Sequence, residues 1–221
     1  MHRAVVGAPA PPEVPGQGLP GSGTGAWLAD LAGHPGRRPL PPLAGACLLL
    51  LDLQRLFVDP GSPAFLPDWP TAAGPCAALL GTFRRRGLPV LWTRHLHPGE
   101  DDTGVIADFG GRPLRRDDPL SALAQEPEPG EIVMEKSRYS AWIGTGLADL
   151  LPPGAPLVIA GVTTHRCVLA SAVEAASRDV RAVVVGDATA TRGPGLQRAA
   201  LSCLASGFCW VASAEEVLRA L

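Results

Sequence analysis

Short apolar runs recur along this chain, separated by segments of helical periodicity, and that alternation limits the folds open to it. The first run, Ala46–Leu53 with Asp52 near its end, has the continuous hydrophobicity of a strand buried on both faces. From Thr71 to Arg86 the apolar positions Ala72, Cys76, Leu79, Leu80 and Phe83 fall on one helical face, and Gly87 follows as a stop signal. Further strands are predicted at Leu88–Thr93, Glu131–Glu135, Pro156–Gly161, Val180–Gly186 and Phe208–Ala212. Helices are predicted at Gly146–Leu151, His165–Arg178, around Leu196–Leu204 and at Ala214–Leu221. Strands alternating with helices predict an α/β domain whose mainly parallel sheet is covered on both faces. The polar, irregular stretch 98–130 is long for a connection in a compact domain and reads as an active-site lid.

Residues 1–42 are rich in Pro and Gly and read as a flexible extension, with one short helix at Ala26–Ala32; the domain proper is expected over 43–221. The GSGTG stretch at Gly21–Gly25 follows no strand, so it reads as linker and not as a phosphate loop. Hydrophobic residues make up 46% of the chain, enough for a substantial core. A formal net charge of −2 gives no reason to expect a nucleic-acid or anionic-membrane partner. The longest apolar runs are far too short to span a bilayer, and the first residues lack the apolar core of a secretory signal. Five cysteines without a CxxC pair or zinc-ligand spacing fit a reducing compartment, so a cytoplasmic location is expected.

Parallel sheets bind ligands outside the carboxyl ends of their strands. Three chemically capable side chains stand at predicted strand ends: Asp52 after the first, Lys136 after the third, and Cys167 in the first helical turn after the fourth. A thiol has a reference pKa of about 8.5, and both a helix amino terminus and a neighbouring ammonium favour its thiolate. A carboxylate in reach can accept the thiol proton and return it to a leaving group. Phe57, Tyr139 and Trp142 lie just beyond these strand ends and could form an apolar pocket wall, while Arg94 could steer a carboxylate on a substrate.

The stretches LLLLDLQRLFVDPGSPAFLP, VLWTRHLHP, VMEKSRYSAWIGTGLADLL, GVTTHRCVLASAVEAASRDV and VVGDATATR together resemble the isochorismatase-like cysteine hydrolases. The resemblance covers about residues 44–221. It implies a three-layer αβα fold with a six-stranded parallel sheet, a homodimer or homotetramer, and an Asp–Lys–Cys triad falling on Asp52, Lys136 and Cys167. It also implies a cis peptide at Val162–Thr163 and an oxyanion hole made by the N–H groups of Thr163 and Cys167. The members called isochorismatases cleave a vinyl ether and lack the cysteine. Cys167 therefore points to hydrolysis of a small-molecule amide, ureide or carbamoyl C–N bond through an acyl-enzyme, with no organic cofactor. The alternatives are a vinyl-ether hydrolase that uses Asp52 alone and a non-catalytic member of the fold. In the nicotinamidases of this superfamily an Asp and His residues after the second strand hold a metal. Here that place reads RHLHP, with His95 where the Asp is expected and His97 where a His is expected. A His-x-His pair can bind zinc, but the ligand set is incomplete, so no metal is expected and His95 is assigned to the edge of the substrate pocket.

Overall fold

The computed structural model describes residues 33–97, 99–109 and 113–221. The short helix expected at Ala26–Ala32 and the Gly21–Gly25 linker lie outside the described residues. Six parallel strands form one sheet: β1 (Cys47–Leu51), β2 (Val90–His95), β3 (Ile132–Lys136), β4 (Leu157–Val162), β5 (Ala182–Ala190) and β6 (Trp210–Ala212). Their order across the sheet is β3-β2-β1-β4-β5-β6. The helices that cover it are α1 (Trp69–Arg85), α2 (Leu169–Ser177), α3 (Pro194–Gly207) and α4 (Ala214–Ala220). The predicted three-layer architecture is therefore the observed one, with strand ends displaced by at most four residues.

Every residue of β1 is buried, as its unbroken apolar run requires. Alternation divides it between two cores. Leu48 and Leu50 pack on one face with Phe83 of α1 and Val217 of α4, while Cys47, Leu49 and Leu51 pack on the other with Val168, Ala172 of α2 and Leu204 of α3. Each fully buried Leu contributes about 2 kcal/mol of transfer free energy. Residues 33–42 run along the outside of this body: Leu40 packs against the first core and Arg37 pairs with Glu216 of α4. Among the described residues no helix is long and apolar enough to cross a membrane.

The strand order reverses direction between β1 and β4, the topological switch point at which such sheets open a crevice. Here the two strands approach unusually closely. Leu51 pairs with Gly161, and a Cβ on Gly161 would lie 2.3 Å from the Leu51 carbonyl oxygen. Gly161 also has φ +108°, which a side chain would strain. This contact sets the spacing between Asp52, which follows β1, and the segment 163–167, which follows β4. Gly161→Ala should accordingly destabilise the fold by more than about 2 kcal/mol. Urea unfolding would show it as a lowered midpoint, and an unchanged midpoint would contradict the packing described.

Candidate active site

The carboxyl ends of β1, β3 and β4 bring Asp52, Lys136 and Cys167 together. Asp52 leaves β1 with φ +52°, a left-handed conformation that Asp tolerates better than most residues. Its backbone N–H reaches Thr93 of β2, and the Thr93 hydroxyl donates to Asp52 Oδ1 at 2.6 Å. The second oxygen, Oδ2, lies 2.8 Å from Lys136 Nζ, and both side chains are essentially inaccessible to solvent. Lys136 Nζ also lies 3.3 Å from Cys167 Sγ, 3.2 Å from His95 Nδ1 and 3.2 Å from the Arg138 carbonyl oxygen. Asp52, His95 and Cys167 each present an atom within 4.8 Å of the other two. That donor set could hold a divalent ion, but the Lys136 ammonium touches all three groups, and its charge opposes a second cation.

The segment after β4 departs from the expected regular helix. The Val162–Thr163 peptide is cis, and residues Thr164–Val168 form a π turn before α2 begins. Val168 N–H donates to the Thr163 carbonyl at 3.2 Å, five residues back, so the turn is wider than an α turn. Cys167 lies inside it, almost fully buried. Ser171 holds the turn in place: its hydroxyl donates to the Cys167 carbonyl at 2.7 Å and accepts the Ala141 N–H at 2.9 Å.

The electrostatics assign the proton. Burial pushes the Cys167 thiol up to about 12, with the Asp52 charge adding to the rise and Lys136 opposing both. Burial alone would raise the Asp52 carboxyl as well, but the Lys136 charge and the Thr93 hydroxyl outweigh it and hold the group below the usual carboxylate range. For Lys136 the burial cost is likewise outweighed, by the charges of Asp52 and Cys167, and its ammonium is stabilised. Together these shifts favour a thiol at Cys167, a carboxylate at Asp52 and an ammonium at Lys136.

The other sequence-predicted positions are dispersed. Trp142 is a core residue and not a pocket wall: its indole N–H donates to the Ser171 carbonyl at 2.9 Å, and it packs with Leu147 and Val168. Phe57 packs against the first core. Arg94 is committed to Glu135, which also takes Arg116. Tyr139 lies under the Arg166 guanidinium, 5.8 Å from its ring centre. Only His95 joins the cluster. A cavity of about 400 Å³ borders it at Lys136, lined by Leu96, Arg116, Ser137, Arg138 and Ile143. Sequence reasoning passed over two supporting residues. Thr93 orients Asp52. Gln54, wholly buried, bonds the His95 N–H and carbonyl and the Ser121 carbonyl. A polar residue inside the apolar LLLLDLQRLF stretch was the available signal for Gln54.

A doubly wound α/β sheet thus gathers a thiol, a carboxylate and an ammonium at the carboxyl ends of its strands. Residues 46–216 match the model of the isochorismatase domain. The chain is 30% identical over 196 residues to a maleamate amidohydrolase of Pseudomonas putida, covering 84% of this chain and 88% of that protein. Among solved structures, a cysteine hydrolase of Pseudomonas syringae superposes with a TM-score of 0.75 at 23% identity, covering 83% of this chain and 95% of that one. An N-carbamoylsarcosine amidase of Thermoplasma acidophilum superposes with a TM-score of 0.67 at 27% identity, covering 77% and 96%. This chain belongs to the isochorismatase family of hydrolases.

The buried pair makes a prediction about pH. With its pKa depressed, Asp52 contributes stability above its unfolded value of about 3.9, and that contribution is lost as pH falls through the folded value. Lys136→Met removes the ammonium and leaves the carboxyl buried, so its pKa should rise above its unfolded value. The variant should lose about 3–5 kcal/mol at pH 7 and recover part of that loss as the pH is lowered to 5. Urea unfolding at the two pH values measures this, and a variant whose deficit is the same at both would refute the assignment.

Proposed function

We propose that this protein hydrolyses the C–N bond of a small amide, ureide or carbamoyl compound, with Cys167 as nucleophile, Asp52 as proton acceptor and donor, and Lys136 as the charge that holds them together. The observation that carries this reading is the contact of one buried ammonium with both the Asp52 carboxylate and the Cys167 sulfur. As Sγ attacks the carbonyl carbon, its proton passes to Asp52, and the carbonyl oxygen becomes an oxyanion. The N–H groups of Thr163, which precedes the π turn, and of Cys167, within it, are suited to bind that oxyanion, each such donor contributing on the order of 3 kcal/mol. Collapse breaks the C–N bond, and Asp52 gives its proton to the departing nitrogen, leaving a thioester. Asp52 then takes a proton from water as the oxygen attacks, and the carboxylic or carbamic product leaves with the thiol restored.

The high pKa of the resting thiol fits this sequence, because the proton need leave sulfur only when a substrate carbonyl is present to accept the electrons. The names of the amide-cleaving relatives point the same way. A panel of maleamate, N-carbamoylsarcosine and simple ureides with ammonia detection, and isochorismate with pyruvate detection, tests it. Ammonia release is expected, and Cys167→Ala and Asp52→Asn should each lower it by at least about a thousandfold while circular dichroism stays unchanged. Pyruvate release that survives Cys167→Ala but not Asp52→Asn would replace this reading with vinyl-ether hydrolysis.

A further inference from the structure

The cavity of about 400 Å³ beside the cluster has charged walls that the reaction chemistry leaves unused. Its ionisable lining residues are Arg116, Glu135, Lys136 and Arg138. Lys136 is balanced by Asp52. Glu135 has both oxygens occupied: Oε1 accepts from Arg94 Nη2 and Oε2 from Arg116 Nη2. One carboxylate between two guanidinium groups leaves that trio with a surplus positive charge.

Arg116 presents the surplus where a ligand meets it. Its side chain is 71% exposed, and among the described residues its guanidinium donates through Nη2 alone, to Glu135. A guanidinium carries five N–H donors in a planar fork, so an edge of Arg116 remains for an acceptor in the cavity. Arg138 stands on the same lining, with Nη1 donating to the Ser137 carbonyl at 2.9 Å and to the Ser137 hydroxyl at 3.1 Å. The cavity also adjoins the reacting groups. The Lys136 ammonium lies 3.3 Å from Cys167 Sγ and 3.2 Å from the Arg138 carbonyl oxygen.

We propose that the substrate carries a carboxylate at the end of a short acyl chain remote from the scissile C–N bond, and that Arg116, together with Arg138, binds this carboxylate in the cavity. This rests on the cysteine mechanism proposed above. With the scissile carbonyl at Sγ, a chain of a few carbons runs past Lys136, beside the apolar side chains of Leu96 and Ile143, to the guanidinium groups. Planar, bidentate pairing suits a carboxylate and gives a neutral end group nothing comparable. A cationic end group would meet like charge. The steering role that the sequence suggested for Arg94 thus falls to Arg116, because Arg94 is spent on Glu135.

Succinamate and butyramide test this, because they differ only by a carboxylate in place of a terminal methyl group. Calorimetric titration of Cys167→Ala, which cannot turn either amide over by the proposed route, measures binding alone. Succinamate should bind at least about tenfold more tightly than butyramide, and adding Arg116→Gln should reduce that preference roughly tenfold. Raising the salt from about 0.05 M to 0.5 M should weaken the preference as well, because Arg116 is exposed and its charge is screened. Equal affinity for the two amides, no binding of succinamate by about 10 mM, or a preference that survives Arg116→Gln overturns the proposal. Ammonia release separates it from the reading beneath it. If succinamate binds with the stated preference but loses its ammonia equally fast with and without Cys167, the cysteine mechanism fails and the carboxylate site stands.

Discussion

One buried positive charge organises this site. Lys136 stands at the end of β3, an edge strand, yet its ammonium is enclosed and faces groups delivered by β1, β2 and the turn after β4. Taking an ammonium out of water costs several kcal/mol, and only close oppositely charged or strongly polar partners offset that cost. Asp52 supplies the charge, and His95 and the Arg138 carbonyl supply further acceptors. The carboxylate is stabilised in turn by the ammonium and by Thr93. Neither ion is tenable in that position without the other, so the strand ends must be registered closely enough to hold both.

That demand explains features of the fold that otherwise look local. Gly161 lets β4 press against the end of β1, and Asp52 adopts a positive φ so that its side chain turns back over the sheet edge. Gln54 ties the last residue of β2 to the connection beyond it through its bonds to His95 and Ser121. Ser171 links the turn that carries Cys167 to the loop after β3. Gly161, Gln54 and Ser171 carry no chemistry of their own here. They remove freedom from groups that must remain within 4.8 Å of one another.

Much of this was legible in the sequence, for a physical reason. Strands buried on both faces must be continuously apolar, so a charged residue at the end of such a run stands out, as Asp52 does after β1; Lys136 is marked only by its place at the end of β3, an edge strand that also carries Glu135. The cysteine was found because a thiol in the first turn after a buried strand lies at a known opening of parallel sheets. Less visible were the side chains whose meaning depends on which surface they meet. Trp142 and Phe57 follow strand ends closely, but proximity in sequence does not set direction, and both turn into cores. Arg94 alternates away from the cluster along β2 and finds Glu135, its partner in register on β3. The π turn was likewise hidden, because a single widened turn leaves no mark on hydrophobic periodicity.

The opposite pulls on the two acids bear on how such a site avoids damaging itself. Burial holds the sulfur protonated, and the ammonium holds the carboxylate ionised. A resting thiolate would be open to oxidants and alkylating agents, whereas a buried thiol beside an ionised carboxylate is nearly inert. Poor reactivity of Cys167 toward iodoacetamide is thus the expected behaviour of an active enzyme of this design, and does not identify an inactive one. What separates the two is whether a bound carbonyl, by accepting electrons from sulfur, makes the proton transfer to Asp52 favourable. On the proposed mechanism the nucleophile is generated by its own substrate, within an arrangement whose charges are balanced before the substrate arrives.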